Sequence, residues 1–236
     1  MGMKQIVAAA MVASALVATS ASAATVSDAF TLTFGAGSTS SNDPLTGASG
    51  TATFGFMDEM GDVRVSVKVR NTTGSTTFGA GATQSALTGF GFDLLMGTSV
   101  ASPGSFLSTG SLDTFLLNAD FNPFGKLDVA FADNNNFNGG NANDAVDAGE
   151  MSVASFLLAT DLDAAGTARA FQTGFFSDGL QAGLRFQQVN AGEGSDKLVF
   201  EPPMTPPPPP AVVPLPAAGV LLLAGLAGLG AMRRRG

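Results

Sequence analysis

The chain has 236 residues, of which 45% are hydrophobic and only 13% are charged. This composition excludes a disordered acidic or basic chain, because such chains are poor in apolar residues. It contains no Cys, His, Trp or Tyr, which removes disulfides, thiolate ligands, the usual general base and the commonest zinc ligand. A net charge of −8 argues against nucleic acid as a partner, since such binding depends on Lys and Arg meeting phosphates.

The N-terminus has the pattern of a secretory signal peptide. A single positive charge is followed by an apolar core at residues 6–18, and Ala21 and Ala23 form an A-x-A cleavage site. An ordinary buried helix at the start of a domain is the alternative. We predict a signal helix in residues 1–23, which the Sec translocon recognises and signal peptidase removes, so that the mature chain starts at Ala24.

Residues 24–201 form one predicted domain, because no linker composition interrupts them. They carry seven Lys and Arg against 19 Asp and Glu, a net charge of −12. A segment of this length can bury a substantial core.

Period-2 patterning dominates this segment and predicts an all-β fold. The valines at odd positions of residues 63–69 alternate with polar residues, which is typical of a half-buried strand. Residues 51–56 precede this strand, and residues 58–62 supply the turn of a hairpin. Many short strands separated by Gly, Asn, Ser and Asp predict an antiparallel β-sandwich ectodomain. Further strands are predicted at residues 29–34, 89–96, 113–118, 126–132, 169–176, 183–189 and 197–200.

Residues 151–163 fit two structures. Residues 151–153 alternate as a strand does, whereas the apolar residues between Phe156 and Leu162 also fit one side of a helix. We favour a strand, because a helix here should show a stop signal, for which Gly166 is the candidate.

Two Ser/Thr/Gly-rich stretches, residues 35–53 and 71–85, are predicted to be long, mobile surface loops. The second begins with Asn71, Thr72 and Thr73, an N-x-T acceptor for glycosylation. Glycosylated loops are therefore the alternative interpretation.

The densest polar cluster, residues 133–150, offers four carboxylates and six Asn amides. A Ca²⁺ ion takes about six to eight oxygen ligands, which a flexible acidic loop can supply. The spacing departs from a calcium-binding loop because Ala145 stands at a ligand position, so a solvated turn is the interpretation that we favour. No other cofactor is predicted. The candidate calcium ligands are Asn141, Asn143, Asp144, Asp147 and Glu150.

No motif for catalysis stands out, and we predict no enzymatic activity. A Ser-His-Asp set is impossible without His, and no phosphate-binding or dinucleotide-binding fingerprint occurs. Acidic pairs such as Asp161 with Asp163, or Asp144 with Asp147, are the residue type that glycosidases use. Sugar sites usually also contain Trp or Tyr, which this chain lacks.

The C-terminal part of the chain falls into three segments. Residues 202–212 are proline-rich and predict an extended linker, at about 3.1 Å per residue. The apolar residues 217–232 would span about 24 Å as a single transmembrane helix, slightly less than a hydrocarbon core of about 30 Å. The membrane-stop residues that follow should stay cytoplasmic by the positive-inside rule; they are Arg233, Arg234 and Arg235.

Residues 213–236 resemble a PEP-CTERM sorting signal of the VPLPA type, because a Pro-Leu-Pro motif, an apolar run and an arginine cluster occur in that order. Residues 185–198 are also similar to the last strands of many ectodomains of that family. The resemblance implies that exosortase, a membrane-embedded transpeptidase-like enzyme, cuts near the motif. A plain tail anchor is the alternative. The motif residues are Val213, Pro214, Leu215, Pro216 and Ala217.

The resemblance also implies a location and a role. We expect an inner-membrane intermediate and then a non-catalytic protein at the cell surface or in the extracellular matrix of a Gram-negative bacterium, associated with exopolysaccharide or biofilm. The alternative is a calcium-assisted module that binds extracellular polysaccharide.

Overall fold

The computed structural model of the protein describes residues 27–203, with the exception of residues 136, 138–141 and 178. Two predicted parts lie outside the described residues. One is the signal peptide with its cleavage site, and the other comprises most of the proline-rich linker, the sorting motif, the apolar run and the arginine cluster. Within the described part of the chain, no helix has the length and apolar character needed to cross a membrane.

Strands dominate the described residues. One α-helix, α1 (Ala164–Phe176), and two short 3-10 helices, Pro103–Ser105 and Ala142–Asp144, accompany them. The strands, in chain order, are β1 (Ser27–Phe34), β2 (Thr39–Ser40), β3 (Gly50–Glu59), β4 (Asp62–Asn71), β5 (Ala86–Phe92), β6 (Ser99–Val100), β7 (Leu107–Thr109), β8 (Thr114–Asp120), β9 (Lys126–Ala132), β10 (Val146–Asp147), β11 (Met151–Ala159), β12 (Ala182–Gln187) and β13 (Ser195–Val199).

These strands form two antiparallel sheets. The first sheet has the order β1-β3-β4-β11, and both β6 and β7 pair with β11. The second sheet has the order β2-β13-β12-β5-β9-β8, and β10 pairs with β5. This mostly β architecture is consistent with the predicted β-sandwich.

Most predicted strands are confirmed to within a few residues, and the favoured strand at residues 151–163 is confirmed as β11.

The hairpin of β3 and β4 follows the predicted alternation. The odd-numbered valines of β4 are buried, whereas the residues between them are half-buried or exposed. Met60 and Gly61 form the tight turn with φ values of 53° and 92°. Positive φ at both central residues matches the right-handed twist of the two flanking strands, which explains why so short a connection suffices.

The core between the sheets is built largely from phenylalanine, which is the chain's only aromatic residue type. The ring of Phe54 stacks on Phe30 with a centroid separation of 4.9 Å and meets Phe92 edge-on at 5.1 Å. Phe30 and Phe54 belong to the first sheet and Phe92 to the second, so these contacts join the sheets. Ring pairs of this kind contribute about 0.5–1.5 kcal/mol beyond the burial of their area.

The prediction of a strand at residues 169–176 is wrong, because these residues form the second half of α1. The N-cap residue Asp163 accepts a hydrogen bond at 2.7 Å from the backbone N–H of Gly166, which therefore lies in the first turn of this helix instead of ending an earlier one. The buried positions recur every three or four residues, which is the helical period. They are Thr167, Phe171, Gly174 and Phe175.

A second, smaller apolar cluster covers the outer face of the second sheet. The ring of Phe121 lies on Gly183, and the ring of Phe137 lies on Gly89, so that a Cβ atom at either glycine would overlap a ring. The two rings are 5.4 Å apart. Glycines in β5 and β12 thus allow loop residues to pack directly on the sheet backbone.

The second Ser/Thr/Gly-rich stretch is a surface loop between β4 and β5, as predicted, whereas the first, residues 35–53, is not the free loop that the sequence predicts. Residues 46–50 are buried, and β3 already begins at Gly50. Asp196 fixes this stretch, because its buried carboxylate accepts hydrogen bonds at 2.7 Å from the hydroxyls of both Ser40 and Thr46. Charge-assisted bonds to a buried carboxylate are stronger than neutral ones, so they hold the stretch against the last hairpin.

Candidate functional site

The candidate calcium ligands lie in different surroundings. Asn141 is outside the described residues. The exposed Asp144 ends a short 3-10 helix, and the exposed Asp147 ends β10. Glu150, also exposed, precedes β11. Among the described residues, no three His, Cys, Asp or Glu side chains come together as a metal-ligand group. The position of Asn143 is in the same 3-10 helix as Asp144.

Asp133, the first acidic residue of the polar cluster at residues 133–150, is partly buried. Burial raises the pKa of Asp133 to about 6, the positive charge of Arg185 opposes this, and the negative charges of Asp144 and Asp113 add to it. Its Oδ2 atom is buried and has no hydrogen-bond partner within the described part of the chain. A carboxyl group with this pKa changes its charge in mildly acidic solution.

Arg185 supplies the opposing charge from the middle of β12. It is only 7% exposed, and its Nη1 donates a hydrogen bond to Thr88 Oγ1 at 3.1 Å. Burial lowers the pKa of Arg185, whereas the charge of Asp133 raises it. Because Arg185 is buried in the second sheet, we assign its charge interaction with Asp133 to the structure of the domain and not to a binding site.

Two adjoining hollows lie at one end of the domain, where the ends of several strands meet. The larger has a volume of about 460 Å³ and the smaller about 270 Å³, and Gln84 and Ala148 line both of them. Hydroxyl groups, two amides and one guanidinium group line the larger hollow, whereas Ser85, Gln188 and the carboxylate of Asp147 line only the smaller one. Besides the buried Asn71, the polar lining of the larger hollow comprises Arg70, Thr72, Thr73, Ser75, Thr83 and Gln84.

A buried hydrogen-bond network holds the floor of these hollows. Asn71 is fully buried, and its Nδ2 donates to the carbonyl oxygens of Ser85 at 2.8 Å and of Val146 at 2.9 Å. Its Oδ1 accepts from the backbone N–H of Thr73 at 3.1 Å. The amide that a glycosyltransferase would modify is therefore engaged inside the fold, which contradicts the alternative of a glycosylated Asn71.

Arg70 connects the larger hollow to the outer face of the first sheet. Its neighbours in register are Thr51 on β3 and Met151 on β11, and Lys68 is the next outward residue along β4. Side chains of paired residues point to the same face of a sheet. The outer face of the first sheet and the larger hollow therefore form one continuous surface around Arg70, which we call the Arg70 surface.

The Arg70 surface offers groups that bind hydroxylated and anionic molecules. Hydroxyl and amide groups exchange hydrogen bonds with polar ligands, and a guanidinium group recognises carboxylates or phosphates. Sequence reasoning identified the alternating residues of β4 but not this surface. Together the two hollows combine chain segments near residues 70–75, 83–86, 147–149 and 188, which only the strand pairing brings together.

Comparison with known proteins assigns the chain to no family. It matches no family model, no curated protein and no solved structure.

Proposed function

We propose that this chain is a non-catalytic exported protein that exosortase sorts to the cell surface or the extracellular matrix of a Gram-negative bacterium. The observation that carries this proposal is the Pro-Leu-Pro motif of residues 214–216, followed by an apolar run and three arginines. A plain membrane anchor needs the apolar run and the positive charges, but it does not need the motif.

The positions of the strands support the proposal. Every strand of the described residues lies between Ser27 and Val199. The expected signal peptide ends at residue 23, and the expected linker starts at residue 202. Removal of both predicted processing segments would thus leave the two sheets and the core intact.

The end of the domain is also suited to carrying a linker. Phe200 packs edge-on against Phe176 at 5.3 Å, and Thr39 Oγ1 donates a hydrogen bond to Glu201 Oε1 at 2.7 Å. These contacts anchor the chain immediately before the proline-rich residues. A proline-rich linker is semi-rigid and extended, so it would hold the domain away from the membrane until the tail is cut.

The proposal includes the inner membrane as a transient location and exopolysaccharide as the surrounding material. The predicted signal peptide supplies entry through the Sec translocon, and the apolar run with its arginines supplies the membrane intermediate. Strongly negative net charge keeps an exported domain soluble among other proteins, since like charges repel.

A pair of matched variants in a host that produces an exosortase tests the proposal. We expect Pro214→Ala together with Pro216→Ala to keep the protein in the membrane fraction, because the recognition motif is lost. Pro208→Ala together with Pro210→Ala makes the same chemical change in the linker and should leave release unaffected.

Release of the motif variant at the normal rate would overturn the sorting proposal, as would retention of the unchanged protein in the membrane. Equal retention of both variants would show that the proline content of the tail matters and that the motif does not, which would also overturn it.

A further inference from the structure

We propose that the side chain of Met204, which follows the last described residue, docks into an apolar groove at the end of the domain. This groove, which we call the Phe200 groove, has a volume of about 500 Å³. It is lined by Thr33 and residues 35–37 on one side and by Phe176 and residues 200–203 on the other. The docking itself does not rest on the proposed sorting, so the two proposals can fail separately.

Both sides of the Phe200 groove are held in place by contacts within the domain. Phe200 is only 7% exposed, and its ring meets Phe176 edge-on at 5.3 Å and Phe34 at 6.0 Å. On the opposite side, the backbone N–H of Ser38 donates to Gly35 O at 2.9 Å, and the backbone N–H of Gly35 donates to Ser38 Oγ at 3.0 Å. A site that is already formed costs little ordering entropy to fill, so the groove is suited to hold a side chain.

The chemistry of the groove favours an apolar, uncharged occupant. Phe176 and the prolines at positions 202 and 203 present apolar atoms. The one carboxylate among the lining residues, that of Glu201, accepts a hydrogen bond from Thr39 Oγ1 at 2.7 Å. A Cβ atom at Gly37 would meet no atom within 4 Å, so this part of the groove has room for a further side chain.

The sequence places a suitable side chain at the edge of the groove. Among residues 202–212, Met204 is the only one with a long, unbranched side chain, since the others are Pro, Thr, Ala and Val. A methionine side chain is flexible enough to fill an irregular gap, and its sulfur makes favourable contacts with aromatic rings such as those of Phe176 and Phe200. A linker that only spans a distance has no need of such a residue.

Neither chain entropy nor charge opposes this docking. Pro203 lines the groove, and the Cα atoms of consecutive residues are about 3.8 Å apart, so Met204 starts at the edge of the groove. The entropy cost of closing a loop, which a distant segment would have to overcome, is therefore almost absent. Residues 202–213 carry no charge, so the net charge of −12 of the domain does not repel them.

Docking of Met204 fixes the direction in which the tail leaves the domain. The five prolines at positions 206–210 are semi-rigid and extend by about 3.1 Å per residue, so a fixed start gives the linker a fixed direction. Only this consequence, the placement of the sorting motif relative to the domain, rests on the proposed function.

The rate at which hydrogen peroxide oxidises each methionine of the purified full chain, in a neutral detergent, tests the docking. Peroxide converts the thioether to a sulfoxide and is itself reduced to water, and mass spectrometry of peptides locates the added oxygen. Met60 and Met96 are 97% and 102% exposed, so they serve as internal references. We expect Met204 to react at least about fivefold more slowly than either of them, and the three rates to converge when urea unfolds the protein.

Matched variants show whether the groove is what protects Met204. Ala36→Arg places a large charged side chain at an exposed position of the groove, and it should bring the oxidation rate of Met204 to within about twofold of that of Met96. Ala165→Arg makes the same change at an exposed position of α1 and should leave the protection intact.

The melting temperature gives a second, independent readout. Met204→Ser should lower it by about 2 °C, because a docked apolar side chain is lost, whereas Met204→Leu should retain it. Met96→Ser is the matched control at a fully exposed methionine, and it should shift the melting temperature by less than about 1 °C.

Several results would overturn the proposal. Oxidation of Met204 as fast as that of Met60, or equal melting temperatures for Met204→Ser and Met96→Ser, would show that the Met204 side chain is exposed. Protection that survives Ala36→Arg would show that the detergent or the tail shields Met204. Protection that falls on dilution would place the linker of a second copy in the groove. In each case the sorting of the tail could still be correct, because the fractionation experiment measures it independently.

Discussion

The side-chain amide of Asn71 donates a hydrogen bond to the carbonyl oxygen of Val146 at 2.9 Å, which ties the end of β4 to β10 across 75 positions of the sequence. The same nitrogen also donates to Ser85 O at 2.8 Å. One side chain thus satisfies backbone groups from two other segments beneath the polar hollows. Buried polar groups of this kind are costly to leave unpaired.

We therefore expect Asn71→Ala to lower the free energy of unfolding by about 2–3 kcal/mol, because buried backbone groups would lose their partners. Ser75→Ala, at an exposed position of the same segment, should change it by less than about 0.5 kcal/mol. Urea unfolding of the two variants measures both effects. Similar stability of the Asn71 and Ser75 variants would show that the network does not hold this part of the fold.

The environment of Asp133 predicts a pH dependence of stability. Burial raises the pKa of Asp133 to about 6, so the folded protein binds this proton more tightly than the unfolded chain does. The stability linked to Asp133 is therefore complete at low pH, and it is lost as the pH rises from about 4 to about 6. Arg185 limits the loss, whereas Asp144 and Asp113 increase it.

Melting temperatures of Asp133→Asn between pH 4 and pH 7 check this prediction. The variant should lose less stability over this range than the unchanged protein, because an amide has no proton to release. Asp161→Asn, at an exposed position, should follow the unchanged protein. A steeper decline in the Asp133 variant would contradict the sign of the effect.

Because the ring of Phe121 lies on Gly183, we expect any larger residue at position 183 to destabilise the second sheet. Gly183→Ala should lower the free energy of unfolding by about 1–3 kcal/mol, because the added Cβ would overlap the ring and force it aside. Gly37→Ala is the matched control, since a Cβ there would meet no atom within 4 Å. Equal melting temperatures for the two variants would mean that the Phe121 ring does not rest on the sheet.

Calcium is expected to leave the melting temperature unchanged at millimolar concentration. The reason is the spacing of this segment, because Ala145 stands at a position where a calcium-binding loop supplies an oxygen ligand. A ligand that binds only the folded state must raise the melting temperature. A rise of several degrees with calcium, absent with magnesium, would restore the calcium interpretation of residues 133–150.

The strands were largely predictable because their burial follows a period of two along the chain. In β4 the valines at odd positions face the core, and the sequence alone shows their alternation. In α1 the signal was weaker, because aromatic residues also favour strands. Two features of the sequence would have identified the helix. Asp163 is a favourable N-cap residue, and Thr167, Phe171, Gly174 and Phe175 follow at helical spacing.

The Arg70 surface could not be predicted in the same way. Its groups come from segments that are up to about 100 residues apart, from Thr51 on β3 to Met151 on β11, and only the order of the strands brings them together. The burial of Asn71 is another consequence of that order. From the local sequence alone, an N-x-T tripeptide is expected to be exposed. Asn71 is buried because its hydrogen-bond partners, Ser85 and Val146, belong to other segments of the chain.

The intact mass of the protein recovered from the cell surface or the medium tests the central claim most directly. We predict a polypeptide that begins at Ala24 and ends near the Pro-Leu-Pro motif, without Met232 and the three arginines. A mature protein that still contains those residues would contradict sorting by exosortase and would leave a simple membrane anchor. A mass that includes the first 23 residues would contradict export itself.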